Sequence, residues 1–244
     1  MPQKGVRTWK TKIVGLTDLS PCRYRPQSLI SQSKRDRHLI KTIVVEGNIG
    51  VGKTTLLKYL EHFENITVIP EPVHKWTNLD GNNLLDLMYS NPRRWSFVFQ
   101  SYVQLTMLQV HECQVGTKLK VQERSIHSAI QVFAEHLLKS GKLAKVEMAV
   151  LQAWYQYIVE HHQVEIDAII YLRADPHECY TRILKREGQQ TNIPEKYVVE
   201  LHNIYDAWAQ RKQHEVPVFI INANKSQLNV QLDMYFKFSD LLIQ

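Results

Sequence analysis

A β-branched run, Thr42 to Glu46, leads into Gly47-Asn48-Ile49-Gly50-Val51-Gly52-Lys53-Thr54-Thr55, and a helical stretch from Thr54 to Phe63 follows. This is G-x-x-x-x-G-K-[ST] between a strand and a helix, the setting in which the motif binds phosphate. Glycines let the backbone turn its N–H groups inward onto phosphate oxygens, and the helix N-terminus adds a favourable dipole. In that arrangement Lys53 neutralises the β- and γ-phosphates of a nucleotide, and the Thr54 hydroxyl ligates Mg²⁺.

The rest of the chain repeats the strand–helix alternation. Thr42–Glu46, Ile66–Pro70, Leu119–Glu123, Ala168–Leu172 and Val216–Ile221 read as strands, and the longest helical stretch runs from Asn91 to Glu112. Such alternation predicts an α/β fold, a parallel sheet covered by helices on both faces. No internal repeat and no linker divides residues 41–244, which read as one domain.

The net charge of +6 suggests a nucleic-acid binder until its position is considered. Of the 30 Lys/Arg and 24 Asp/Glu, ten and two fall in residues 1–41, which leaves 20 basic and 22 acidic side chains for the body. The basicity therefore belongs to a leader, residues 1–40, and no nucleic-acid partner is expected. Val6, Trp9, Ile13 and Leu16 share one helical face there, the profile of a mitochondrial transit peptide. A disordered basic tail on a cytoplasmic protein fits the same residues, and Lys34-Arg35-Asp36-Arg37 is a poor nuclear address. The apolar runs are far short of the ~20 residues of a spanning helix, so no membrane partner is expected either. Cys22, Cys113 and Cys179 are too widely spaced for a disulfide framework, and no C-x-x-C is present. His111 and Cys113, two residues apart on a helix, face different directions and do not share a metal.

Among phosphate-loop proteins a GTPase is excluded. No Asp has Gly three residues later, and Asn224-Lys225 continues as Ser226-Gln227 and not toward an N-K-x-D base reader. Two strands instead end in acids, Glu71 and Glu123, the latter followed by Arg124. Ligands of parallel sheets bind at the carboxyl ends of strands. One carboxylate there can take the proton of an attacking hydroxyl while another holds Mg²⁺, and Arg124 can stabilise charge on the transferring group. Between the acids lie Met88-Tyr89, Trp95, Phe97, Phe99-Gln100, Tyr102-Val103 and Met107. Aromatics at helical spacing suit a core. Gln100, an amide among them, also suits stacking and paired hydrogen bonds to a flat heterocycle.

The segments Glu46 to Thr55, Glu71-Pro72-Val73-His74-Lys75-Trp76, Asn83 to Tyr89, Phe99 to Leu108 and Glu123-Arg124-Ser125-Ile126-His127-Ser128-Ala129 resemble the deoxyribonucleoside kinases in order and spacing. The resemblance runs from residue 41 to about residue 240 and omits the leader. It implies a P-loop kinase three-layer sandwich, a five-stranded parallel sheet flanked by helices with an Arg-containing lid, usually as a homodimer. It implies ATP and Mg²⁺, with Gly47 to Thr55, Arg182 and Arg186 on the nucleotide, and a deoxyribonucleoside phosphorylated at its 5′-hydroxyl to the monophosphate. Glu71 is then the general base, with Glu123, Arg124 and Lys53 completing the catalytic set and Thr54 and Glu123 serving the metal. Tyr89 meets the sugar 3′-hydroxyl, Gln100 binds the base edge, and Trp76, Phe99 and Phe133 wall the base, with Met88 and Val103 beside them. The deoxycytidine/purine branch of the family carries Arg where this chain has Met107 and Asp where it has Ala129. Apolar side chains at both positions leave room for a 5-methyl group, which points to thymidine and deoxycytidine ahead of purines.

The chain departs from the family pattern in the lid. Arg182, Lys185 and Arg186 keep the first cations, but Gly188 stands for a usual Arg and Gln189-Gln190 for usual acids. Gln190 can still bond a 3′-hydroxyl, without the strength of a carboxylate. Ile130-Gln131 replaces a more polar pair. Two rivals follow: a nucleotide-binding relative with weak or no turnover, and a nucleoside monophosphate kinase, which needs extra cations for its acceptor.

Overall fold

The structure, a computed structural model, describes residues 41–187 and 193–242. The expectations for residues 1–40, and those for Gly188 to Asn192 including Gln190, lie outside the described residues.

Five strands, β1 (Lys41–Gly47), β2 (Ile66–Ile69), β3 (Leu119–Glu123), β4 (Ala168–Arg173) and β5 (Val218–Asn222), form one sheet in the order β2-β3-β1-β4-β5. Every pairing is parallel, with Val45 opposite Glu123 on one side of β1 and Glu46 opposite Tyr171 on the other. The central strands are apolar without alternation because helices cover both faces; Val44, Val45, Ile169 and Ile170 are fully buried. β5 starts two residues later than the sequence pattern suggested. Pro217 has no N–H for the ladder, although its carbonyl still accepts from Ile169 at 2.9 Å.

The covering helices are α1 (Lys53–Leu60), α2 (Val73–Thr77), α3 (Leu84–Ser90), α4 (Pro92–His111), α5 (Ile126–Ser128), α6 (Glu135–Lys139), α7 (Lys145–His161), α8 (Pro176–Glu187), α9 (Glu195–Lys212) and α10 (Gln227–Leu242). Between α5 and α6 the chain keeps coiling through π-helical turns, Ala129–Ala134. Pro92 opens α4 at the one place where a missing N–H costs nothing, and the Asn83 side chain caps α3 by accepting from the Asp86 N–H at 3.0 Å. Among the described residues no helix is long and apolar enough to cross a membrane.

The buried residues fall into two cores. One wraps the sheet and includes Ile43, Leu56, Leu172, Leu201 and Trp208; the other lies between α4, α7 and the π turns and includes Phe99, Met107, Ile126 and Leu151. From β1 the chain runs to β2 past β3, and from β3 it runs to β4 on the other side, so the switch point lies between the carboxyl ends of β1 and β3. That crevice is where an open parallel sheet takes its ligand.

Candidate active site

The loop after β1 closes the crevice from one side. Gly50 has φ +76°, and a Cβ on it would stand 2.4 Å from the Cys179 carbonyl oxygen; on Gly47 it would stand 2.5 Å from that of Leu172. Glycine is thus required for close approach to α8 and β4 as well as for the turn. Lys53 folds back over the loop, donating to the carbonyls of Gly47 (3.2 Å) and Asn48 (2.9 Å), with Nζ 3.9 Å from Glu123. Burial pushes its ammonium down to about 8, and the neighbouring Arg124 adds to the effect. Asn48 braces the loop, donating to the Val198 carbonyl at 2.8 Å and accepting from the Ile49 N–H. Val51 is buried in the sheet core.

β3 delivers two functional candidates to the same crevice. Thr54 Oγ1 lies 3.3 Å from each carboxylate oxygen of Glu123, a cluster of hard oxygen donors at the start of α1. Arg124 has φ +60°, a costly left-handed conformation for a residue with a side chain, and its N–H is held by the Val45 carbonyl at 3.0 Å. The turn aims its guanidinium at Glu71, with which it pairs through Nη1. Burial, the largest single influence, disfavours the Arg124 charge, but Glu71, Tyr205 and Glu123 together outweigh it and hold the guanidinium firmly protonated. The guanidinium also stacks over the Phe133 ring, 4.9 Å from its centre.

From this pair a cavity of about 970 Å³ runs into the second core. Its inner end is walled by Trp76, Met88, Phe99, Val103, Met107 and Ala129, all buried. Trp76 is fixed by donating to the Thr106 hydroxyl at 2.9 Å and by an edge contact with Phe99 at 5.7 Å. Gln100 lines the same end, and its side-chain oxygen is buried with no hydrogen-bond partner among the described residues. A buried amide left in that state is costly without a ligand to satisfy it. Tyr89 and Phe133 line the middle, where Tyr89 packs edge-on against Tyr197 at 6.2 Å.

Beyond the phosphate loop, the described catalytic and pocket candidates, with Arg182 and Arg186, line the cavity, whereas Trp95, Phe97, Tyr102 and Lys185 do not. Of the loop residues, Ile49, Gly50, Gly52, Lys53, Thr54 and Thr55 line it, while Gly47, Asn48 and Val51 stand behind and shape it. Arg182 lines the outer end, but its guanidinium is also a tie. It donates to the Val51 carbonyl (3.1 Å), the Ala223 carbonyl (3.0 Å) and Glu178 (2.9 Å), fastening α8 to the loop. Arg186, one turn on, is exposed at the cavity edge. Ile130 is buried in the second core, and Gln131 accepts from the Trp208 indole at 2.8 Å and donates to Tyr155 at 3.2 Å, so this pair serves packing.

Lys58 and Ile193, outside every motif, also line the cavity, as do Asn83 and Asp86, which belong to a resembling segment without a role there; Glu46, likewise in a segment without a role, and Tyr205 stand behind it. Glu46 carried a visible signal, a lone acid inside an apolar strand; Tyr205, on a helix far along the chain, carried none. Among the described residues no group of three or more His, Cys, Asp and Glu side chains is placed to hold a metal.

Residues 43–241 match the family model of the deoxynucleoside kinases. The chain belongs to that family. The kinase is 39% identical over 198 residues to mitochondrial thymidine kinase 2 of Macaca fascicularis, a match covering 80% of this chain and 75% of that one. It is 36% identical over 208 residues to the human mitochondrial thymidine kinase 2, covering 84% and 78%. With the deoxycytidine kinase of Mus musculus it shares 33% over 220 residues, covering 76% and 85%. The deoxynucleoside kinase is accordingly a phosphotransferase.

Proposed function

We propose that this kinase transfers the γ-phosphoryl group of ATP to the 5′-hydroxyl of deoxyribonucleosides, thymidine and deoxycytidine first, to give the 5′-monophosphates of nucleotide salvage. The observation that carries the reading is the Glu71–Arg124 pair, set between the phosphate loop and an apolar pocket whose floor holds an unsatisfied amide. Glu71 is the residue to receive the 5′-hydroxyl proton, and Arg124 orients Glu71 and faces the charge that develops on the transferring group. Thr54 and Glu123, with three oxygens already gathered, fit a hard divalent cation such as Mg²⁺ and are the residues to hold it. Bound there, Mg²⁺ supplies charge neutralisation at the β- and γ-phosphates. Lys53 adds a buried cation beside it. Gln100 is matched to the donor–acceptor edge of a pyrimidine, with Trp76, Phe99 and Phe133 around the ring, Tyr89 near the sugar, and the small and apolar Ala129 and Met107 accommodating a 5-methyl group.

Residues 41–244 act as one kinase domain in this reading. A homodimer is proposed from the exposed apolar stripe Val146, Val150, Trp154 and Tyr157 on α7, joined by Leu105 on the adjacent α4. A mitochondrial address is proposed from the leader composition and from the relatives named mitochondrial; the alternative is a cytoplasmic enzyme.

A reading with weak turnover draws on Arg182, whose guanidinium is occupied in fastening α8 to the phosphate loop. A monophosphate kinase is disfavoured, because Arg124, the cation beside Glu71 where the acceptor's 5′ end would lie, is already paired with that carboxylate. The test is ADP release by the purified full chain with thymidine, deoxycytidine, deoxyadenosine or thymidine monophosphate. Thymidine and deoxycytidine are expected to lead. Faster turnover of the monophosphate, preference for deoxyadenosine, or no turnover would each overturn a named part of the reading.

A further inference from the structure

Glu46 is a fully buried acid with no place in the chemistry so far. It ends the apolar run of β1, is 0% exposed, and lines no part of the cavity. Both of its oxygens are nevertheless committed toward the site. Oε1 accepts from the Ser125 hydroxyl at 2.7 Å, and Oε2 accepts from the Tyr205 hydroxyl at 3.2 Å. Tyr205 in turn accepts from Nε of Arg124 at 3.3 Å, and Nη1 of the same guanidinium reaches Glu71. Ser125 accepts from the Ser128 N–H at 3.2 Å and so caps α5, the helix that begins directly after Arg124-Ser125.

The chain has a direction. A phenol has one proton. If Tyr205 gives that proton to Glu46, only lone pairs remain to face Arg124, and the guanidinium can donate. If Glu46 became a donor on that side, the Tyr205 proton would turn toward an N–H group and push it away. The second arm acts on the backbone. Arg124 sits in a left-handed conformation that is costly for a residue with a side chain and persists only when its surroundings over-determine it. The capped Ser125 turn and the Tyr205 bond are two of those determinants.

We propose that Glu46 is a positioning residue for phosphoryl transfer: through Tyr205 and Ser125 it holds the Arg124 guanidinium in register with Glu71. It touches neither substrate, so its effect is on the geometry of the reacting pair. The inference rests on the assignment of Glu71 and Arg124 to the acceptor side of the reaction. Two features support it. Tyr205 is itself immobilised, stacked on Tyr171 at 6.0 Å and edge-on to Phe133 at 5.9 Å, so its hydroxyl cannot swing to another partner without repacking. Glu46 also lies in the field of Arg124 and Lys53, the two buried cations of the site.

The test is steady-state kinetics of the full chain as E46Q, Y205F and the double variant, with E71Q as reference. E46Q keeps the side-chain shape but presents an N–H₂ group where an acceptor is needed, and Y205F removes the link alone. Each single variant is expected to lower kcat roughly tenfold or more, since small misplacements of reacting groups are costly. KM for ATP and for thymidine should stay within about threefold. The double variant should be no slower than the worse single, because both substitutions cut one chain. A kcat within twofold of the parent in either single variant, or losses that multiply in the double, overturns the proposal. If E46Q does not fold, Y205F decides alone. If E71Q keeps full kcat, the assignment of the base falls and with it the ground for this inference, an outcome separate from failure of the Glu46 variants with E71Q inactive.

Discussion

Arg124 and Glu71, 53 residues apart in the chain, meet as a salt bridge in which neither side chain is more than about a tenth exposed. A lone buried charge is costly, so each of the two is tolerated because the other is present. The planar guanidinium spends Nη1 on Glu71, Nε on Tyr205 and its face on Phe133. Lysine can supply the charge but not three directions at once. R124K is therefore expected to keep the fold and to lose about a hundredfold in kcat. Single-turnover measurement with thymidine checks this; a loss confined to KM would mean that Arg124 only binds.

Much of this site was legible because its chemistry sits next to punctuation. The phosphate loop has fixed spacing, and Glu71 and Glu123 stand where apolar strands stop, so strand ends and acids were found together. The sheet was legible for the same reason, since buried parallel strands are short, β-branched and unbroken. The lapses have physical causes. The apolar run predicts β5 from Val216, whereas the strand begins at Val218, because propensity does not register the N–H that Pro217 lacks. The charge of Arg182 is visible in sequence, but its bonds to the carbonyls of Val51 and Ala223 are not. Tyr205 reaches the site only through the packing of α9 on the sheet, a relation no local pattern encodes.

The inner wall of the cavity should set base preference. Met107 is 1% exposed and Ala129 5%, so a charge placed at either is desolvated. M107R alone buries an unpaired cation and should lower stability and turnover of every nucleoside. M107R/A129D supplies the partner and fills the space open to a 5-methyl group. Its thymidine kcat/KM is expected to drop at least tenfold more than its deoxycytidine kcat/KM. Competition between the two nucleosides in one reaction measures this directly, and an unchanged ratio would separate these positions from specificity.

Trp154 is 59% exposed at the centre of the apolar stripe on α7, with Val150 one turn before it and Tyr157 one turn after. If the stripe joins two copies, W154E puts two carboxylates into one interface. The variant should sediment as a monomer at concentrations where the parent is dimeric, with secondary structure intact. A parent that is itself monomeric in sedimentation equilibrium would remove the dimer.

The buried Glu46 also predicts how stability responds to pH. Burial lifts its carboxyl from 4.5 to about 7, against the opposing pull of the Ser125 and Ser128 hydroxyls, Arg124 and Lys53. The group's folded value is thus above its unfolded value. Below about pH 4.5 both states carry the proton; between there and about pH 7 the folded state holds it more than the unfolded chain does. Stability from this group is therefore present at low pH and is lost as pH rises through about 7. E46Q removes the titration. In urea unfolding of the two proteins at several pH values, the midpoint of E46Q relative to the parent should shift upward from pH 5 to pH 8. A difference that stays flat, or moves in the parent's favour, would show that Glu46 is already ionised throughout that range.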